Sequence, residues 1–273
     1  MTKNTDVPVK DAATVILLRD APGGPEAFVM ERAMTMAFSA GATVFPGGKV
    51  DPADTVHDEL FVDVEMPYWQ QSLGTSSEQA KRLMMAAIRE TFEEVGVLFA
   101  RPISGGELVD PSKFEEERAR IEAGELVFSD FLAQNQLAPD FSYLRPWSRW
   151  VTPVGESRRY DTHFFLAAFP YGQEARLVTE EATSASWIKP QKALDMFGQG
   201  ATYLMPPTWA QFDRLKEFNS VEDALAATPQ TAPIEPEVLA GAKPFKVRFP
   251  GAENYYLLSP QHNDSKSSTN ASS

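Results

Sequence analysis

The stretch Arg89-Glu90-Thr91-Phe92-Glu93-Glu94-Val95-Gly96-Val97 constrains this chain more than any other. At about 100° per residue, Glu90, Glu93 and Glu94 fall in one sector of a helix. Met84, Ile88, Phe92 and Val95 gather on a different side that can face a core. Gly96 suits the helix C-terminus, where a residue without a Cβ turns the chain at low steric cost. One face packs and the other can bind. Mg²⁺ is usually held by a few carboxylates while water and substrate phosphate complete its shell, so the pattern suggests metal-assisted attack on a phosphate ester or anhydride.

The absence of cysteine narrows the metal further, because it removes disulfides, thiolate zinc sites and a cysteine nucleophile together. His57, His163 and His262 are too scattered for a histidine-rich zinc site, which favours Mg²⁺ or Mn²⁺ on oxygen ligands. A net charge of −13 argues against nucleic acid and against an anionic membrane as partners. A diphosphate would need locally placed cations and arginines to overcome that average field. Residues 1–10 lack an apolar signal core and no apolar run is long enough to span a bilayer. The C-terminal Asn270-Ala271-Ser272-Ser273 is not a Ser-Lys-Leu address, so the expected location is cytoplasmic.

Along the chain, Ala13–Arg19 and Ala27–Glu31 read as two strands joined by a turn. Phe45-Pro46-Gly47-Gly48 indicates backbone free to approach a ligand closely. Asp51–Ser76, with Pro52, Pro67 and Gly74, reads mainly as a long surface loop, and a helix runs from Glu78 to about Val97. Within Ser104–Tyr143, helices are expected around Lys113–Arg118 and Phe128–Gln136, their glutamates forming a solvated face. Strands return at Trp147–Thr152, Tyr160–Phe169 and Thr183–Ile188, with helices at Gln191–Phe197 and Thr208–Phe218. Lys243–Phe249 and Tyr255–Leu258 read as two closing strands, and Ser259–Ser273 as a disordered tail. Strands interleaved with helices give an α/β class with a partly mixed sheet.

With both halves in view, the chain resembles the Nudix hydrolases, whose motif pairs an upstream glycine and glutamate with Arg-Glu-apolar-X-Glu-Glu-X-Gly-apolar. Gly48 and Arg89–Val97 match that pattern, with Thr91 at the usually apolar place and Asp54 where glutamate is usual. A separation of 34 residues between Asp54 and Arg89 splits the motif. Such splitting is similar to a subgroup, the peroxisomal coenzyme A diphosphatases. The same subgroup is suggested by Phe38–Asp51, Trp150-Val151-Thr152-Pro153, Arg158–Phe165 and Leu204-Met205-Pro206-Pro207-Thr208. The likeness covers most of residues 12–218.

The resemblance implies a Nudix-type α/β/α sandwich with a mixed β-sheet and helical insertions. Residues 1–260 would form one domain, with insertions at about 55–77 and 104–143, and 261–273 a tail. Glu90, Glu93 and Glu94 are then the metal ligands, with the Gly48 carbonyl as an additional oxygen. Arg89, Glu93 and Glu94 are catalytic, and Gly47, Asp54 and Gly96 support the motif. Arg89 would orient a glutamate through a bidentate salt bridge, and Asp54 either pairs with Arg89 or is a plain loop aspartate. The base is a cluster glutamate or one of Glu180 and Glu181, which are otherwise surface charge. Arg158 or Arg159 binds substrate phosphate, or else pairs with Asp161 or Glu156. Tyr143, Trp147 and Trp150 stack on adenine or belong to the core, where His163 also packs. The implied partner is a small nucleoside diphosphate derivative, with coenzyme A or an acyl-CoA leading, cleaved to 3′,5′-ADP and a 4′-phosphopantetheine fragment. A noncatalytic ligand sensor and a hydrolase of ADP-ribose or NAD(H) remain as alternatives. The insertions either cap the pocket or form a dimer contact, which leaves a homodimer open.

Overall fold

The computed structural model describes residues 7–33, 41–54, 58–61, 63–239 and 246–259. His57, His262, Phe38–Ala40 and the expected tail at 261–273 lie outside them. The strands are β1 (Val9–Arg19), β2 (Glu26–Arg32), β3 (Thr43–Val44), β4 (Gly47–Lys49), β5 (Ala100–Pro102), β6 (Leu137–Pro139), β7 (Leu144–Val151), β8 (Arg159–Ala168), β9 (Ala182–Ile188), β10 (Gln230–Ile234), β11 (Glu237–Val238) and β12 (Val247–Arg248). The helices are α1 (Met66–Leu73), α2 (Ser77–Val95), α3 (Glu115–Glu122), α4 (Phe128–Gln134), α5 (Pro190–Gly198), α6 (Pro206–Leu215), α7 (Val221–Ala226) and α8 (Ala252–Leu258).

An eight-stranded sheet runs in the order β10-β7-β8-β1-β2-β3, with β4 paired to β1 and β9 to β2. It is mixed: β1 is parallel to β8 and antiparallel to β2 and β4. Successive strand residues face opposite ways, and β1 is buried on both faces. Ala13, Val15 and Leu17 join the core under α2, whereas Ile16 and Leu18 join the second core with α5 to α8. This double burial explains the continuous apolar run Val15–Leu18, and the result is the expected α/β/α sandwich. Each fully buried large apolar side chain contributes roughly 1.5–3 kcal/mol, so α2 is fixed firmly by Leu83, Met84, Ile88 and Phe92. Its ends are defined by Ser76, whose hydroxyl accepts from the Gln79 N–H at 3.2 Å, and by Gly96 at φ +70°.

Two expectations need correction. Asp51–Ser76 is not mainly a loop: it holds a 3₁₀ turn at Asp58–Phe61 and helix α1. Pro67 opens α1 at the position where its missing N–H costs nothing, and Gly74 closes it at φ +63°, so both apparent breakers are boundaries. Phe61, Trp69 and Leu73 are buried, and Phe61 stacks on Phe141 at 4.6 Å. Tyr255–Leu258 is not a strand but part of α8, entered through Gly251 at φ +85°. Of Lys243–Phe249, only Val247–Arg248 is strand among the described residues. Among the described residues, no helix is long and apolar enough to cross a membrane.

Candidate active site

Strand β4 carries the two glycines and lies antiparallel to β1, with Thr14 opposite Gly47 and Ala13 opposite Gly48. At Gly47, φ is +152° and a Cβ would sit 2.6 Å from Thr14 Cα and against the Ala13 carbonyl. At Gly48 a Cβ would meet the Glu90 carboxylate at 2.5 Å. The glycines therefore serve two separate approaches: Gly47 to the neighbouring strand, Gly48 to a carboxylate of α2. The Gly47 N–H then donates to Glu94 Oε2 at 2.7 Å.

Arg89 joins the two halves of the motif. Its Nε donates to Asp54 Oδ1 at 2.7 Å and its Nη2 to Asp54 Oδ2 at 3.0 Å. Nη1 donates to Glu90 Oε1 at 2.9 Å and Glu93 Oε1 at 3.0 Å, and Nη2 also donates to the Lys49 carbonyl at 2.9 Å. All the donors of the guanidinium fork are thereby used. Asp54 is 2% exposed and also accepts from the Asp51 N–H at 2.7 Å, so a tight turn presents it to Arg89. Thr91, in the usually apolar position, is fully buried because its hydroxyl donates to the Ala87 carbonyl at 2.7 Å.

The cluster is short of positive charge. Burial pushes the Glu90 carboxyl up to about 7, against the pull of Arg89. Burial also raises Glu93, and it holds Glu94 well above the carboxylate range, assisted by Glu90 and opposed by the Gly47 N–H. Each glutamate commits one oxygen within the protein, Oε1 of Glu90 and Glu93 to Arg89 and Oε2 of Glu94 to Gly47. Their second oxygens take no hydrogen bond among the described residues. A hard divalent cation fits this donor set, because it would both use those oxygens and relieve the charge deficit. In the present arrangement, no three histidine or acidic side chains among the described residues are grouped as a metal site.

Two neighbouring segments brace the Glu93–Glu94 end of α2. Arg118 of α3, 7% exposed, donates from Nη1 to the Glu93 carbonyl at 2.8 Å and to Glu122 Oε2 at 2.9 Å. The chain after β8 runs along the same end, with the Val178 N–H on the Glu94 carbonyl at 3.2 Å. It delivers Glu181, whose Oε2 lies 3.9 Å from Arg32 Nη2.

A cavity of about 800 Å³ opens from this point across the sheet face opposite α2. Gly47, Glu94, Arg32 and Glu181 line one end, and Thr14, Trp150, Thr162 and Phe164 the floor. Tyr203, Met205, Lys246, Tyr255 and Tyr256 complete the lining, and the Tyr203 carbonyl accepts from the Thr43 N–H at 2.9 Å. Both glutamates are exposed, but Glu181 is in the cavity lining and Glu180 is not. Arg158 is exposed, and Arg159 donates to Glu235 at 2.7 Å and to the Thr152 carbonyl at 3.0 Å. Neither arginine lines the cavity. Asp161 pairs instead with Arg149 at 2.6 Å. Of the three aromatics considered for stacking, only Trp150 reaches the cavity. Trp147 lies under the Arg214 guanidinium at 3.5 Å and Tyr143 stacks on Phe99 at 5.3 Å. His163 faces away from the cavity, 1% exposed, and burial lowers its pKa to about 4 despite Asp161 nearby. Thr14, Arg32, Lys246 and the three tyrosines were not singled out by the sequence. The one available signal for Arg32 was a charged residue at the end of the apolar run of β2.

Comparison with known proteins agrees with this geometry. The family profile for the NUDT19 Nudix domain matches residues 64–215, more than half of the chain. A Gallus gallus protein named acyl-coenzyme A diphosphatase NUDT19 is 28% identical over 90% of this chain and 79% of its own length. The Homo sapiens protein of the same name is 28% identical over 71% of this chain. This chain spans 61% of the length of the human relative and of the Xenopus laevis one. A crystal structure of a Nudix hydrolase from Alicyclobacillus acidocaldarius superposes with a TM-score of 0.66 at 28% identity, covering 82% of this chain and 98% of that one. The split motif, the glycine approaches and these matches place the chain in the Nudix hydrolase family, in the group described by the NUDT19 Nudix domain.

Proposed function

We propose that this Nudix hydrolase is a Mg²⁺- or Mn²⁺-dependent diphosphatase that hydrolyses coenzyme A or an acyl-CoA. The observation that carries the reading is Glu94, held on the Gly47 N–H at the wall of a cavity large enough for a cofactor-sized substrate. The printed names of the Gallus gallus and Homo sapiens relatives, acyl-coenzyme A diphosphatase, support the substrate class.

Glu90, Glu93 and Glu94 would hold the cation through their uncommitted oxygens, with the Gly48 carbonyl as an additional ligand. When bound, the cation neutralises phosphoryl charge and lowers the pKa of its water. Arg89 is fully engaged by Asp54, Glu90, Glu93 and Lys49, so its part is to hold the carboxylates in register and not to touch substrate. Arg32 supplies positive charge for the diphosphate at the cavity wall. Glu181 accepts the proton of the attacking water as its oxygen bonds to phosphorus and the bond to the bridging oxygen breaks. The products are 3′,5′-ADP and the phosphopantetheine fragment.

The test is Glu94→Gln, assayed against coenzyme A, acyl-CoA, ADP-ribose and NADH, with circular dichroism confirming the fold. A loss on the order of 10²-fold in kcat/KM for the coenzyme A substrates is expected. Undiminished turnover by a folded variant would sink the assignment, and a wild-type preference for ADP-ribose or NADH would redirect it.

A further inference from the structure

We infer that the part of the cavity lined by Lys246, Tyr203, Tyr255 and Tyr256 is a subsite for a phosphorylated nucleoside, with Lys246 taking the phosphate and the Tyr203 ring carrying the base. The inference rests on the coenzyme A reading above and assigns one end of that substrate to named residues.

The wall is a built structure. The Tyr255 hydroxyl donates to the Leu204 carbonyl at 3.0 Å and its ring stacks on Phe197 at 5.0 Å. The Tyr256 hydroxyl accepts from the Val247 N–H at 2.7 Å and donates to the Val247 carbonyl at 3.1 Å. These bonds fix α8 to β12, Phe249 between them packs edge-on against Trp150 at 5.6 Å, and both elements lie beyond the matched residues 64–215. Tyr203 leaves 49% of its surface uncovered beside them. Tyr255 is 6% exposed and Lys246 lies over Tyr256, so Tyr203 is the open ring, and an exposed aromatic face in a cavity is a stacking surface for a nucleobase.

Charge selects the rest of the ligand. Lys246 Nζ lies 5.0 Å from the Tyr256 ring and forms no ion pair among the described residues. At the catalytic end Arg32 already lies beside Glu181, so Lys246 is the cation left for a second anionic group. Glu156, which also lines the cavity, carries the wrong sign for that task. An ammonium unpaired in a chain of net charge −13 attracts a phosphate monoester through charge-assisted hydrogen bonds. An aliphatic acyl chain would give this amine no partner and would strip it of water. A ribose phosphate on the adenosine side satisfies both the aromatic wall and the amine.

The experiment is calorimetry of adenosine 3′,5′-bisphosphate and of AMP with the wild-type protein, Lys246→Gln and Lys246→Arg. The wild type should prefer the bisphosphate. Lys246→Gln should lower that preference about tenfold, and Lys246→Arg should keep most of it. In steady state, Lys246→Gln should raise KM for coenzyme A relative to dephospho-coenzyme A at equal kcat. Equal losses for the two nucleotides, or an unchanged preference, would overturn the subsite. So would a shift in acyl-chain-length preference without a change in nucleotide preference. A wild-type protein that binds the bisphosphate through Lys246 yet leaves coenzyme A uncleaved would defeat the proposed reaction and leave the subsite standing.

Discussion

Adjacent glycines at 47 and 48 should fail in different ways when given a methyl group. At Gly47 the added Cβ meets backbone of β1, with Thr14 Cα at 2.6 Å, in a strand pair that cannot easily part. The φ of +152° adds strain for any L side chain. About 1–3 kcal/mol for the backbone and about 1–3 kcal/mol for overpacking give a destabilisation of roughly 2–6 kcal/mol. That corresponds to a fall in Tm on the order of 10 °C for a domain of this size. At Gly48 the obstacle is the Glu90 carboxylate at 2.5 Å, the far end of a side chain. Reaching ordinary contact moves that carboxylate by about 0.9 Å, which is a modest stability cost of about 1 kcal/mol. Arg89 resists the movement through its 2.9 Å bond to Glu90. A displacement of that size in a positioned catalytic group costs about 10²-fold in rate. Thermal denaturation and kcat/KM on Gly47→Ala and Gly48→Ala separate the cases. A Gly48→Ala protein with wild-type kcat/KM would show that the position of the Glu90 carboxylate is not part of catalysis, and the argument would fail.

Other perturbations follow the same network. Asp54→Ala leaves the buried Arg89 fork without its bidentate partner and should cost about 3 kcal/mol in denaturant titrations, with kcat/KM falling as the carboxylates lose register. Arg118→Ala removes the bond to the Glu93 carbonyl and should cost about 2 kcal/mol, while Mn²⁺ affinity, followed by its electron spin resonance signal, weakens. His163 has a folded pKa of about 4, below its ordinary 6.5, so the unfolded chain binds the extra proton between those values. Its contribution is therefore fully present above pH 6.5 and is lost as pH falls towards 4, to a total of about 3 kcal/mol. The difference between wild type and His163→Gln in denaturation midpoints across that range isolates the effect; identical pH profiles would show that His163 is not buried neutral.

Much of the candidate site around α2 was legible because its logic is local. The 3.6-residue period of α2 separates Glu90, Glu93 and Glu94 from Phe92 and Val95, and two glycines after proline announce a close backbone approach. The pairing of Asp54 with Arg89 was open in sequence, since an aspartate in a turn has local reasons to be there. The structure brings them together through the Asp51–Asp54 turn. The tyrosine-lined part of the cavity was illegible for a different reason. Tyr255 and Tyr256 follow a glycine turn in a short helix whose apolar pattern also fits a strand, and nothing local distinguishes the two. Arg32 gains its position from the register of β2 against β9, a non-local fact. Arg158 and Arg159 illustrate the converse: a basic pair looked suited to phosphate, but Glu235, 76 residues away from Arg159, neutralises the inward member.

The parallel pairing of β1 with β8 has a consequence for how the protein is made. Every bonded pair in that ladder joins residues 150 positions apart, Val9 to Arg159 through Leu18 to Ala168. A ribosome adding about 5–20 residues per second leaves the first strand waiting on the order of ten seconds for its neighbour. During that interval β1 can pair with β2 and β4 but the β8 edge of Val15–Leu18 stays open, the kind of apolar stretch that chaperones hold and that aggregates when they do not. The centre of the sandwich therefore gains its β8 partner long after the pairings of β1 with β2 and β4 are available, with only β9 and β10 still to join, and the yield of folded protein should depend on translation speed and chaperone supply.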